Sequence, residues 1–257
     1  MEQNLRREAR TPTSQLPYNA IGSAEMPIRE FADNAVDPKV RGYLHLPATP
    51  NHDGLVLTHG AGSNAQAPLL IALADTFSAA GFTVLRCDLP YRQSRSFGPP
   101  GPADAARDRD GLKNALAAMN KFCSRLFLGG HSYGGRQSSM LCAELSGKSG
   151  EETRDLVTAL LLLSYPLHPP RKPEQQRTQH LPDLHTPALF VSGTRDPFGS
   201  IAEIGQAMKM IPAKTKLLPI EGAGHDLGFK GKGKHEQLSK LILSEFTKLL
   251  ELSSGAE

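Results

Sequence analysis

Three short stretches of the chain carry residue types that can do nucleophilic chemistry together. Gly130-His131-Ser132-Tyr133-Gly134-Gly135 contains Gly-x-Ser-x-Gly between an apolar run at 126–128 and a helical stretch at 135–145. The motif requires that context, because the serine stands on a strained strand-to-helix turn that pushes its hydroxyl into a cleft. Gly130 and Gly134 suit the turn, since a Cβ at either position would collide with neighbouring backbone. The helix N-terminus then aims free amides at developing negative charge, with the Tyr133 N–H as the expected oxyanion donor. A serine hydroxyl is a weak nucleophile and needs a base. Asp196 follows the apolar run 188–192, and His225 follows the run 216–220 in a glycine-rich loop. The order Ser, Asp, His is the one this turn demands. His225 would take the serine proton, and Asp196 would hold the imidazole in one tautomer and stabilise its charged form. Asp226 adjoins the base in sequence and Asp183 follows no strand, so both compete poorly with Asp196. Among nine histidines, His131 reads as a packing or orienting residue of the turn. His45, His168, His180 and His185 read as surface or loop positions.

A second donor loop is expected after the run 55–57, in Thr58-His59-Gly60-Ala61-Gly62-Ser63-Asn64-Ala65. Ala61 is the expected second oxyanion N–H, with Gly62 next. The same stretch fits the dinucleotide pattern Gly-x-Gly-x-x-Ala, and Asp88 ends the following strand, so a nucleotide-dependent oxidoreductase is a rival reading. That fingerprint needs a helix opening directly on the glycines, whereas residues 65–68 suggest an intervening loop. It also leaves Ser132, Asp196 and His225 without a role. Two further loops should shape the substrate site. Residues 88–102 carry Arg92 and Arg95, and residues 165–185 carry Arg171, Lys172 and Arg177. His59, Arg92, Tyr165 and His168 are the candidate substrate-binding residues. Arginine fits carboxylate and phosphate, which points to an open site taking small substrates with an anionic group. The competing reading pairs these arginines with neighbours such as Asp88 and Asp108.

The elements that must position these residues alternate along the chain. Strands are expected at 40–46, possible partner 28–31, then 54–58, 82–86, 126–128, 157–164, 188–192 and 216–220. Helices are expected at 68–80, 104–121, 135–145, 201–210 and 235–252. Such alternation predicts an α/β fold with a mostly parallel, twisted sheet covered by helices on both faces. Ligands then sit outside the carboxyl ends of the strands, where every motif above falls. Residues 1–20 read as a flexible lead-in and 21–252 as one domain.

Composition narrows the classes. The chain has 257 residues with a net charge of +3 and no clustered basicity, so nucleic acid is a poor partner. Cys87, Cys123 and Cys142 are odd in number and lack Cys-x-x-Cys spacing, against a disulfide framework or structural zinc. The N-terminus has no apolar core of signal-peptide length, and the apolar run 159–163 is too short to span a bilayer. The expectation is a soluble, cytoplasmic protein with no membrane association, no metal and no cofactor, acting on a small-molecule acyl substrate. Oligomeric state is not indicated.

Taken together, the three motifs resemble the α/β-hydrolase superfamily over residues 39–250. Residues 57–64, Asp88-Leu89-Pro90-Tyr91-Arg92-Gln93 and Ser164-Tyr165-Pro166-Leu167-His168 look like a dienelactone-hydrolase-like group that includes testis-expressed protein thirty and subunit three of the NSL chromatin complex. The resemblance implies an α/β-hydrolase fold with a small or absent lid and a serine hydrolase of carboxylesterase type. Dienelactone hydrolases proper use a cysteine nucleophile, so their substrate does not transfer to Ser132. The group also has members with a scaffolding role, which makes a non-catalytic scaffold or binding protein the alternative.

Overall fold

The computed structural model describes residues 27–146, 156–229 and 235–254. The lead-in expected at 1–20 and the lysine run at 230–234 lie outside these residues. The strands are β1 (Ile28–Asp33), β2 (Val40–His45), β3 (Asp53–Thr58), β4 (Thr83–Cys87), β5 (Arg125–His131), β6 (Ala159–Leu163), β7 (Ala188–Gly193) and β8 (Thr215–Ile220). Among the described residues they form one eight-stranded sheet in the order β1-β2-β4-β3-β5-β6-β7-β8. The pairs β1–β2 and β2–β4 are antiparallel, and all later neighbours are parallel. Parallel neighbours need long crossovers, and α1 (Pro68–Ala79), α3 (Asp104–Met119), α4 (Tyr133–Ser146) and α5 (Ile201–Met208) lie on them. A short helix α2 (Pro90–Ser94) precedes α3, and α6 (His235–Ser254) closes the described chain.

Strand alternation sorts the core into two layers. Val56, Leu128, Leu160, Leu162 and Phe190 pack with Leu112, Leu116 and Met119 of α3, Leu141 of α4 and Ile204 of α5. Their chain neighbours Leu55, Leu57, Phe127, Leu161, Leu163, Leu189 and Val191 pack on the opposite face with Leu70, Leu73 and Phe77 of α1 and Ile242 and Phe246 of α6. Strands buried on both faces read as continuous apolar runs, which is why 55–57 and 159–163 stood out in the sequence. Pro68 opens α1 and a Ser200–Glu203 capping box opens α5, each satisfying or removing amides that would otherwise lack partners.

The structure changes several expectations. β5 runs on through Gly129, Gly130 and His131, whose backbone continues the ladder with Leu161, Leu162 and Leu163. Glycines carry no apolar side chain, so the sequence pattern breaks off at Leu128. Helix α4 starts at Tyr133, directly after Ser132. Helix α2 and a 3-10 turn at Leu181–Asp183 lie inside stretches expected to be loop. Among the described residues no inserted lid stands between β6 and β7. His45 is neither surface nor loop, lying in β2, whereas His168 and His180 are loop residues as expected but turned inward. His45 is 2% exposed and His168 6%, and His180 Nε2 meets the Ser139 hydroxyl at 2.8 Å. Strand alternation turns His45 inward, where its Nε2 accepts from Arg86 Nε at 2.8 Å and its Nδ1 lies 3.1 Å from Asp75. His185 is in a loop and exposed, as expected.

Burial holds three histidines neutral. It pushes His45, His131 and His180 from 6.5 down to about 4, helped by Arg86 beside His45 and by Arg136 and Arg109 beside His180, and at His131 it outweighs the bond to His225 O, which acts the other way. With folded values below unfolded ones, the unfolded chain binds more protons between them, so stability rises with pH in that window. Stability is therefore expected to be full above pH 6.5 and to fall as pH drops towards about 4. Urea midpoints measured between pH 4 and 7.5 check this, and a flat profile would contradict it.

Candidate active site

The turn between β5 and α4 holds Ser132 at φ 51°, in the left-handed region that L-residues seldom adopt. Its neighbours leave the backbone no other course. A Cβ on Gly130 would come within 2.8 Å of Thr58 O, and one on Gly134 within 2.6 Å of His59 O. The turn is thus wedged against the end of β3. Ser132 N donates to Leu163 O at 2.8 Å and Ser132 O accepts from Arg136 N at 3.0 Å, so both sides of the residue are tied. The hydroxyl lies 2.8 Å from His225 Nε2.

His225 and Asp196 reach this point from the ends of β8 and β7. His225 Nδ1 lies 2.8 Å from Asp196 Oδ2 and 3.0 Å from Oδ1. A carboxylate only accepts, so Nδ1 carries the proton and Nε2 offers its lone pair to the serine O–H. The two loops are laced together. Arg195 N donates to Ala223 O at 2.9 Å, and Gly193 passes so close that a Cβ would come within 2.3 Å of that same oxygen. Phe198 N donates to Asp196 Oδ1 at 2.9 Å, and the Phe198 ring lies 4.2 Å from the His225 ring. His131 is an orienting residue in geometry, as its Nε2–H donates to His225 O at 2.7 Å. Burial keeps its ring neutral, at about 4, so the Nδ1 lone pair stays free while Nε2 donates. The carboxylate on His225 Nδ1 is that of Asp196, the choice made over Asp226 and Asp183.

The loop after β3 lies beside the serine. A Cβ on Gly60 would come within 3.4 Å of Ser132 Cβ. Its carbonyls are held from the far side. Tyr91 O–H reaches Ala61 O at 2.9 Å and Gly60 O at 3.3 Å, and Arg92 donates to Ser63 O, Ala61 O and Gly98 O at 2.8, 3.1 and 2.8 Å. In a trans peptide the N–H points opposite its C=O, so anchoring Gly60 O turns the Ala61 N–H the other way. Buried Asp108 joins this loop support to the nucleophile helix, accepting from Tyr91 N at 3.0 Å and from Tyr133 O–H at 2.7 Å.

These contacts correct the substrate-binding assignments. His59 borders the cleft, yet both its ring nitrogens are engaged, Nδ1 with Gly60 O at 2.9 Å and Nε2 with Leu89 N at 3.1 Å. Arg92 holds loop carbonyls and pairs with neither Asp88 nor Asp108. Tyr165 is 2% exposed and gives its hydroxyl to Arg177 O at 2.8 Å. His168 is buried beside Pro169 O and Glu203. Arg92, Tyr165 and His168 do not line the cleft. Arg95 pairs with Asp104. Ser132, Tyr133, Ala61, Gly62 and His225 do line it, around about 1200 Å³ of space. Arg136, Gln137 and Arg177 border it too. The signal for Arg136 was its place four residues after Ser132, in the first turn of the helix that follows the nucleophile. The dinucleotide reading fails on geometry, because α1 opens at Pro68 and not on the glycines, and Asp88 Oδ1 accepts from Ala65 N at 2.7 Å.

A family model described as "Alpha/beta hydrolase domain" matches residues 51–249. The chain belongs to that α/β-hydrolase family. Solved structures agree in fold. An α/β serine hydrolase homologue from Coxiella burnetii shares 16% identity at TM-score 0.66, covering 87% of this chain and 99% of its own. A dienelactone hydrolase from Anabaena variabilis shares 23% at TM-score 0.63, covering 86% and 98%. A lidless α/β serine hydrolase from Xanthomonas campestris shares 14% at TM-score 0.61, covering 90% and 97%. Among the described residues of this α/β-hydrolase, no helix is long and apolar enough to cross a membrane.

Arg92 is 7% exposed and bonded to carbonyls of two loops. Removing a charged donor from buried acceptors costs about 1.5–3 kcal/mol. Arg92→Ala is expected to lose stability by that amount in urea denaturation, whereas a solvated arginine would lose almost none.

Proposed function

We propose that this α/β-hydrolase is a serine hydrolase that transfers the acyl group of small carboxylic esters or thioesters to water. The observation that carries the reading is the unbroken hydrogen-bond chain from Ser132 Oγ through His225 to Asp196, at the floor of an open cleft. A scaffold has no physical need for a strained serine, a base and a buried acid meeting at the ends of three strands.

Ser132 Oγ attacks the substrate carbonyl carbon while His225 Nε2 takes its proton. Asp196 stabilises the resulting imidazolium without taking a proton itself. The carbonyl oxygen becomes an oxyanion, held by the Tyr133 N–H at the start of α4 and by the Ala61 N–H, with Gly62 the next donor along. His225 returns its proton to the leaving oxygen or sulfur as that bond breaks, leaving an acyl-serine. Water then attacks the acyl carbon and gives its proton to His225. Collapse releases the carboxylic acid and restores Ser132 Oγ–H. The amides are fixed before substrate arrives, and each such donor is worth about a hundredfold to a thousandfold in rate. Within the family we place the chain in the dienelactone-hydrolase-like group, on residues 57–64, 88–93 and 164–168, with Ser132 where dienelactone hydrolases proper have a cysteine.

Fluorophosphonate labelling and p-nitrophenyl acetate turnover test the proposal. The wild type should label and turn over, and Ser132→Ala should lose both, by about a millionfold in kcat if the three residues act as a unit. Asp196→Asn should cost about ten-thousandfold through the wrong histidine tautomer. A folded wild type that neither labels nor turns over would return the chain to the non-catalytic scaffold reading.

A further inference from the structure

One wall of the cleft, a helical turn beyond Ser132, carries two buried hydrogen-bond donors that lack an acceptor among the described residues. Arg136 borders the cleft; its side chain meets the Tyr165 hydroxyl, while its Nε is buried with no partner among the described residues. Gln137 beside it is fully buried, and its Oε1 accepts from Arg109 at 2.9 Å. A guanidinium only donates, so the amide cannot be flipped, and Nε2 is left buried without an acceptor. Arg177 reaches the same cleft from the segment between β6 and β7, with a 3.2 Å bond to Pro166 O. Burial and the charge of Arg136 both lower its affinity for its proton, so the two guanidinium groups sense each other. Neither forms an ion pair among the described residues, whereas neighbouring Arg109 does, with Glu144 at 2.7 Å.

Two like charges at the edge of an apolar cleft, with donors removed from water, are costly unless an anion satisfies them. Among the described lining residues the acids number one, Asp226, against two arginines, an excess of one positive charge. That surplus matches a single carboxylate, which can accept from several donors at once.

We infer that Arg136, Gln137 and Arg177 form a carboxylate subsite, and that the substrates are esters bearing a carboxylate a few bonds from the scissile carbonyl. Arg136 N donates to Ser132 O at 3.0 Å, so the Arg136 side chain leaves the first turn of α4 directly beyond the nucleophile, and glutarate, a short dicarboxylate, is the probe of that subsite. The reaction part of this inference rests on the serine-hydrolase reading, and the binding part does not. It also moves the anionic preference expected from Arg92 and Arg95 to arginines that face the cleft.

The test compares p-nitrophenyl hydrogen glutarate with neutral p-nitrophenyl pentanoate on wild type, Arg136→Gln, Arg177→Gln and Arg136→Lys. In parallel, glutarate is titrated calorimetrically into Ser132→Ala and into Ser132→Ala with Arg136→Gln. The ratio of kcat/KM for the anionic over the neutral ester should fall at least tenfold in Arg136→Gln, mainly through KM. It should fall in Arg177→Gln as well and recover in part in Arg136→Lys. Glutarate should bind Ser132→Ala and fail to bind the double variant. Equal loss of both esters in Arg136→Gln, with the ratio unchanged, would assign Arg136 a structural role and overturn the subsite. So would absence of both glutarate binding and anionic preference, even in an active esterase. Glutarate binding that needs Arg136, without turnover of either ester, would uphold the subsite and remove the hydrolase reading.

Discussion

Ser132 is held at φ 51°, a conformation costing a non-glycine residue about 1–3 kcal/mol, and the packing around it blocks relaxation. Gly130 and Gly134 press against the carbonyl end of β3, and Leu163 O takes the serine amide. Rotating the turn would break the ladder bonds of β5 with β3 and β6, which run up to Gly130 and His131. Strain at the serine is therefore maintained by the most deeply buried strands of the sheet. The hydroxyl is aimed by the core, and every other group of the cleft is placed relative to it.

The same logic extends outward through buried polar contacts. Asp108 has no solvent exposure, and burial raises its affinity for a proton, so it persists as a charge only through its bonds to Tyr91 N and Tyr133 O–H. Those bonds connect α3, α2 and the first residue of α4. Tyr91 and Arg92 then grip the loop after β3, while His131 grips the loop of His225. Three crossovers of the sheet become one rigid rim. Donors fixed before substrate arrives need no reorganisation as charge develops, and a rim built this way has that property without a lid.

Much of this was legible in the sequence, because the doubly buried strands are continuous apolar runs and the serine, acid and histidine follow them in order. The α/β architecture, the two helical layers and the approach of Ser132, Asp196 and His225 all trace to that pattern. What could not be read was the direction of side chains in loops. Arg92 looked like a ligand-facing cation because it follows a strand end. Helix α2, too short for a periodic signal, turns it back onto loop carbonyls. His45 looked peripheral because one residue in a strand gives no sign of which face is covered. Arg136 stood in plain view, four residues after the serine, but its importance depends on lacking a partner, a property of three dimensions.

That contrast between Arg92 and Arg136 separates two uses of a buried cation. Arg92 meets four backbone carbonyls, whose partial charges disperse its own, and it organises a loop. Arg136 has a desolvated Nε with no acceptor and a second guanidinium close enough to perturb. In a protein interior the first arrangement is complete and the second is not. Incompleteness of that kind is costly in an empty cleft and favourable in a filled one, because a ligand that supplies the missing acceptors recovers the desolvation already incurred. A cleft whose apolar lining welcomes an acyl chain, and whose uncompensated charge lies a turn from the nucleophile, selects by differential binding. The nucleophile stands on the turn that opens α4 and the selector on the first turn of that helix, so the register between reacting carbon and anionic group is set by a braced strand-to-helix turn.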